Sequence, residues 1–173
     1  MSVLVVIPAR FASSRYPGKP LVELTGATGE KRTLIERSWR AATAVSGVDR
    51  VVVATDDEQI QSVAQGFGAE VVMTSSNCAN GTERCAEAFD TLGGGFDIVV
   101  NLQGDAPLTP HWLVEDLVKG LRVDPLAAGA TPLVRFDGRS LSGFLDLLEA
   151  GKVGGDRAVL QRGQTAPTTE LHP

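Results

Sequence analysis

Arg10, Arg15 and Lys19 place three cations within ten residues of a chain whose formal net charge is −5. They lie in Ile7-Pro8-Ala9-Arg10-Phe11-Ala12-Ser13-Ser14-Arg15-Tyr16-Pro17-Gly18-Lys19-Pro20-Leu21, where Pro8, Pro17, Gly18 and Pro20 impose turns. Cations held on rigid turns suit a polyanion such as a triphosphate, because charge-assisted hydrogen bonds to phosphate are the strong ones. The same residues would also serve as an ordinary solvated loop, and on charge alone the two readings weigh equally.

Two further segments bear on the same chemistry. In Val99-Val100-Asn101-Leu102-Gln103-Gly104-Asp105-Ala106-Pro107-Leu108 an apolar run delivers Gln103 and Asp105 to one edge, and Gly104 permits close backbone approach. Asp105 is the best metal candidate, since magnesium bound with a nucleotide takes one or two protein carboxylates plus phosphate oxygens. Its competing role is to cap the turn before Pro107. In Asn80-Gly81-Thr82-Glu83-Arg84 a glycine opens a helix and leaves backbone N–H groups free, with Thr82 and Arg84 placed to read a polar ligand edge. A plain helix start with Glu83 and Arg84 in solvent fits that segment equally. Asp56 and Asp57 read as helix-start acids. His111, Trp112 and Trp39 join no Ser–His–acid constellation.

The elements that must position these residues follow from hydrophobic pattern. Val3–Ile7 has the length and β-branched content of a buried central strand, and a loop at the carboxyl end of such a strand is where open α/β sheets bind ligands. Further strands are expected at Arg50–Thr55, Ala69–Thr74 and Phe96–Leu102, with a weaker one at Ala128–Val134. Between them, Thr33–Val45 has helical spacing; Thr55-Asp56 offers the N-cap of a second helix ended by Gly66 and Gly68. Gly81–Leu92 and Pro110–Leu121 give a third and a fourth. Gly26 and Gly29 mark a hairpin or turn after Leu21–Leu24. Strand–helix alternation predicts an α/β domain with a parallel-rich sheet covered on both faces. One domain is expected over 1–160; residues 161–173 lack periodicity and read as a disordered tail.

Composition narrows the function. The acidic balance argues against a general affinity for nucleic acid, and no apolar run approaches a membrane span. Without a signal-peptide pattern the chain is expected to be cytoplasmic. The two cysteines, Cys78 and Cys85, have no zinc-site spacing and read as reduced thiols, one in a loop and one on a helix face. No G-x-G-x-x-G follows a strand, and Gly26–Thr33 has its Lys-Thr pair out of register for a Walker loop.

Taken in order, IPARFASSRYPGKPL, VVVATDD, NGTERCAEA and VVNLQGDAPL resemble the 3-deoxy-manno-octulosonate (Kdo) cytidylyltransferase family over roughly residues 1–135. Acylneuraminate cytidylyltransferases share a looser version. The resemblance implies a three-layer α/β/α nucleotide-diphospho-sugar transferase fold with a mostly parallel mixed sheet. It implies CMP transfer from CTP to Kdo with release of pyrophosphate, using Mg2+, in lipopolysaccharide synthesis. Arg10, Arg15 and Lys19 would hold the triphosphate. Pro8, Ala9 and Arg10, with Gly81, Thr82 and Arg84, would read cytosine and ribose; Gln103 would line the site and Asp105 would bind the metal. The family's later half, with a second metal-binding Asp, most of the sugar pocket and much of a homodimer contact, has no recognisable counterpart here. The chain is therefore expected to be a shortened member: an active transferase, a CTP-binding remnant, or a cytidylyltransferase for another sugar acid such as an acylneuraminate.

Overall fold

The computed structural model describes residues 1–12 and 16–132, and beyond them positions 137, 139, 142, 143, 145 and 146. The chain divides into units Met1–Pro132 and Leu133–Pro173; the elements below all belong to the first. Of the domain expected over 1–160, the part beyond residue 132 falls outside the described residues apart from those six positions, and so does the expected tail 161–173.

Strand β1 (Val3–Ala9) is buried along its whole length. Strands β4 (Arg50–Thr55), β5 (Glu70–Met73) and β6 (Ile98–Asn101) complete a sheet of order β5-β4-β1-β6. Every pairing in it is parallel. Among the described residues, antiparallel pairing is confined to the small hairpin of β2 (Glu23–Thr25) and β3 (Lys31–Thr33), whose turn is closed by the Gly26 N–H on the Glu30 carbonyl at 2.8 Å.

The two faces of β1 explain the layers. Val3, Val5, Ile7 and Ala9 pack with Ile35 and Ala42 of α1 (Leu34–Thr43), Ile60 and Ala64 of α2 (Glu58–Gly66), and Val114 and Val118 of α4 (His111–Val123). Leu4 and Val6 turn the other way, onto Cys85 and Ala88 of α3 (Gly81–Thr91). A strand buried on both faces reads as an unbroken apolar run, because no position needs to be polar. The expected helices on both faces are thus observed.

Several boundaries move for physical reasons. The N-cap of α2 is Asp57, one residue beyond the expected Thr55-Asp56, because its Oδ1 accepts from the Gln59 and Ile60 N–H groups, both at 2.9 Å. Thr33 caps α1 rather than joining it, accepting from the Glu36 N–H. Helix α4 begins after Pro110 and runs past Leu121 to Val123. The weaker run Ala128–Val134 forms no strand over 128–132, which are exposed, and its end lies outside the described residues. Alanine, glycine and proline there offer a sheet little area to bury. Among the described residues no helix is long and apolar enough to cross a membrane.

The topology creates one opening. From β1 the chain moves outward to β4 and β5, then returns through α3, on the opposite face, to β6 on the other side of β1. The order reverses between β1 and β6, which makes their carboxyl ends the switch point where open sheets leave a crevice. Pro8 marks the place. The Val6 carbonyl accepts from the Leu102 N–H on the β6 side, so Pro8, two residues on, faces that side too. There β6 has already ended at Asn101, and the missing proline N–H breaks no ladder bond.

Candidate active site

Residues leaving β1 and β6 form the two rims of the crevice. After β1, the loop from Phe11 is closed by the Gly18 N–H on the Phe11 carbonyl at 3.0 Å. Gly18 has φ 69°, and a Cβ there would lie 3.3 Å from the Phe11 ring, so this turn is made for glycine. The closure sets Lys19 at the start of a short 3-10 helix, Lys19–Leu21. From there its ammonium meets Asp105 Oδ2 across the crevice at 2.6 Å. Both side chains remain about half exposed (46% and 51%), which keeps this pair weakly held and open to exchange.

On the β6 rim, Gly104 presses against β1. A Cβ at Gly104 would sit 2.7 Å from the Pro8 carbonyl oxygen. The Gly104 carbonyl is fixed in turn by the buried Ser38 hydroxyl at 2.8 Å. Gln103 donates through Nε2 to Asn101 Oδ1 at 3.1 Å, and Asn101 Nδ2 reaches Thr82 Oγ1 at 3.5 Å.

Helix α3 supplies the third side. Asn80 Oδ1 accepts from the Glu83 N–H at 2.9 Å, while Glu83 Oε2 accepts from the Ala79 N–H at 2.8 Å, a reciprocal cap that satisfies donors at the helix start. Glu83 is exposed, as one reading of its segment allowed, and serves as a structural acceptor as well. A Cβ at Gly81 would lie 3.2 Å from Pro8 Cγ, so the helix opens directly against β1.

These rims enclose a cleft of about 570 Å³, within the usual size of small-molecule sites. Pro8, Ala9, Arg10, Lys19, Gly81, Arg84, Gln103 and Asp105 line it together. Thr82 stands apart, exposed and turned to Asn101. Arg15 lies outside the described residues. Arg10 is exposed, and no described carboxylate pairs with it.

Arg84 is bound differently from its motif's promise of a free reading group. It is 3% exposed, donates to Thr74 Oγ1 and pairs with Asp56 Oδ2 at 3.3 Å. Asp56 is thus more than a helix-start acid: it pairs with Arg84, which lines the cleft, although its own Oδ1 is buried without a partner. Sequence reasoning missed this pair because Asp56 follows β4 and Arg84 lies on α3, and only the fold joins them. It also missed Tyr16, Leu34 and Cys78 as lining residues. Tyr16 lies inside the cationic loop and carried a positional signal; Cys78 carried none.

The cysteines differ sharply. Burial pushes the Cys85 thiol up to about 12. The Cys78 thiol is raised chiefly by its hydrogen bond to Glu87, whose carboxyl is correspondingly lowered.

Asp105 is the only carboxylate among the described lining residues, and no described cluster of three or more His, Cys, Asp or Glu side chains could hold a metal unaided. One half-exposed carboxylate beside two cations fits a divalent ion that arrives with phosphate oxygens of its own.

The sequence model of the cytidylyltransferase family matches residues 4–132. The chain belongs to the cytidylyltransferase family. It is 52% identical to the 3-deoxy-manno-octulosonate cytidylyltransferase of Maricaulis maris over 134 residues, 78% of this chain and 50% of the relative. It is 47% identical to the mitochondrial enzyme of that name from Arabidopsis thaliana, over 75% of this chain and 43% of the relative. A solved structure of CMP:2-keto-3-deoxy-manno-octonic acid synthetase complexed with CTP is 39% identical, with a TM-score of 0.67, covering 73% of this chain and 49% of that one. The chain spans about half the length of the relatives it matches. The family expectation drawn from the four motifs agrees with these matches, and so does the parallel α/β fold.

Proposed function

We propose that the β1–β6 cleft binds CTP and that the protein transfers CMP from it to 3-deoxy-manno-octulosonate, releasing pyrophosphate. The observation that carries this reading is the crossing of the cleft by Lys19 and Asp105, with Arg10 beside them, at the switch point of a parallel sheet. The likeness over this region to a synthetase complexed with CTP supports the nucleotide, and the names of the relatives support the acceptor.

The chemistry asks little covalent work of the protein. The sugar's anomeric hydroxyl oxygen bonds to the α-phosphorus as the bond from that phosphorus to the bridging oxygen breaks; pyrophosphate leaves in line and the hydroxyl proton passes to solvent. Rate comes from positioning and from charge stabilisation of the transferring group. Arg10 and Lys19, with Arg15, draw off charge from the β- and γ-phosphates. Pro8 and Ala9, the α3 start at Gly81 and the Gln103 amide orient the nucleoside, with Thr82 acting through Asn101. Arg84, paired with Asp56, keeps the cleft lining rigid. Asp105 would hold a divalent cation, magnesium in this reading, which supplies Lewis-acid polarisation of the phosphates.

The decisive assay is metal-dependent pyrophosphate release from CTP plus Kdo by the 173-residue chain. Turnover is expected, falling at least about 100-fold in Asp105→Asn. A second reading, CTP binding without transfer, is favoured by the single described carboxylate at the cleft. A folded chain that binds CTP and releases no pyrophosphate would establish it.

A further inference from the structure

The wall of the cleft between β5 and α3 has no regular structure of its own. Cys78, Ala79 and Asn80 line the cleft from this segment, yet before the α3 start, where the Arg84 N–H donates to the Asn80 carbonyl at 3.2 Å, its backbone–backbone ties among the described residues are the Thr74 N–H on the Thr55 carbonyl at 2.8 Å and a long contact from the Cys78 N–H to the Ser75 carbonyl at 3.5 Å. What holds it is a side chain outside the cleft. Glu87, on α3, accepts the Ser75 N–H on Oε1 at 2.6 Å and the Cys78 thiol on Oε2 at 2.9 Å. Glu83, one turn earlier on the same face, holds Ala79.

Two carboxylates four apart on one helix face repel each other, so the placement weakens α3 taken by itself. It is compensated by donors that all come from the cleft wall. The hydrogen bonds from Cys78 and Ser75 lower the Glu87 carboxyl, which keeps it ionised and a strong acceptor at neutral pH.

We infer that Glu87 is a positioning residue of the nucleotide site: by tying Ser75 and Cys78 to α3 it sets the wall against which the nucleotide docks, without touching the nucleotide itself. This role rests on the nucleotide reading of the cleft. It accounts for a carboxylate that the transfer chemistry does not use, and it gives Cys78 a part as the tied group rather than as a nucleophile.

Cys78 also provides the readout. Cys78 lines the cleft and its thiol donates to Glu87, whereas Cys85 is buried with its thiol pushed up to about 12 and stays silent toward alkylating reagents. In the full chain, Glu87→Ala is expected to weaken CTP binding about tenfold and to speed iodoacetamide labelling of Cys78 several-fold. CTP is expected to protect Cys78 in the wild type and to protect it less in the variant. Glu87→Gln keeps an oxygen for the Ser75 N–H and is expected to fall between the two; this partial rescue separates positioning from general destabilisation. It also carries the comparison if Glu87→Ala does not fold.

Unchanged CTP affinity, or unchanged Cys78 labelling, in the folded variants would overturn the role of Glu87 alone. A wild-type chain that binds no CTP would overturn the nucleotide reading and this role with it.

Discussion

Arg84 shows how a residue in a ligand-facing motif can be spent on structure. Its guanidinium sits between Thr74 and Asp56, and Asp56 already has one buried oxygen without a partner. Removing the cation would leave that carboxylate uncompensated, and breaking a buried pair by deleting one partner costs about 3–5 kcal/mol. Arg84→Met is therefore expected to lower the unfolding free energy by about 3 kcal/mol in urea titration. Arg84→Lys should recover only part of it, because an ammonium cannot bridge two acceptors as the planar fork does. Lys19 and Asp105 make the contrast. Their half-exposed pair contributes at most about 1 kcal/mol, so a triphosphate can take Lys19 without much loss of fold. The residue types and their order were legible in the sequence. That Arg84 would answer to Asp56 was not, because such a pairing depends on where separate elements meet.

At the level of elements, the crevice depends on how closely β1 and the turn after β6 approach. Gly104 sets that distance, since a Cβ would come within 2.7 Å of the Pro8 carbonyl oxygen, a backbone atom that cannot rotate away. Gly104→Ala is expected to push the two rims apart, lowering stability by about 1–3 kcal/mol and weakening nucleotide binding; thermal unfolding and CTP titration together check it. A substitution that left both unchanged would mean the rims are not in register through this contact. Strand β1 was readable from Val3-Leu4-Val5-Val6-Ile7 because a doubly buried strand is apolar throughout. Its continuation through Pro8 to Ala9 was hidden, because proline argues against a central strand unless the neighbour is known to end first. The α2 cap was misplaced by one residue for a related reason: Thr55, Asp56 and Asp57 all have capping chemistry, and only the burial of Thr55 in β4 and the pairing of Asp56 with Arg84 leave Asp57 free for it.

Across the whole molecule, distant segments are tied by carboxylates held below their ordinary range: Glu70 by Arg50, Glu87 by Cys78 and Ser75, Asp97 by the Ser2 backbone, and Glu115 by the Ser46 backbone. Each folded value lies below the ordinary 4.5 of a glutamate or 3.8 of an aspartate. Their contribution is therefore fully present above those values and is lost as pH falls through the lower folded ones. Urea midpoints are expected to reflect no loss from these groups between about pH 7 and about pH 5, and to drop by about pH 3.5. A drop already complete at about pH 5 would show that other groups govern acid stability. The parallel, two-faced architecture was legible because strand and helix periods alternate along the first 130 residues or so. The reversal of strand order, which creates the site, came only with the topology.

The central claim, that the β1–β6 cleft is a nucleoside triphosphate site, is tested most directly by equilibrium binding of CTP and CMP to the wild-type chain and to Lys19→Ala. CTP is predicted to bind at least about tenfold more tightly than CMP, with that advantage shrinking when Lys19 is removed. Equal affinity for the two nucleotides, or a CTP preference untouched by the loss of Lys19, would contradict it.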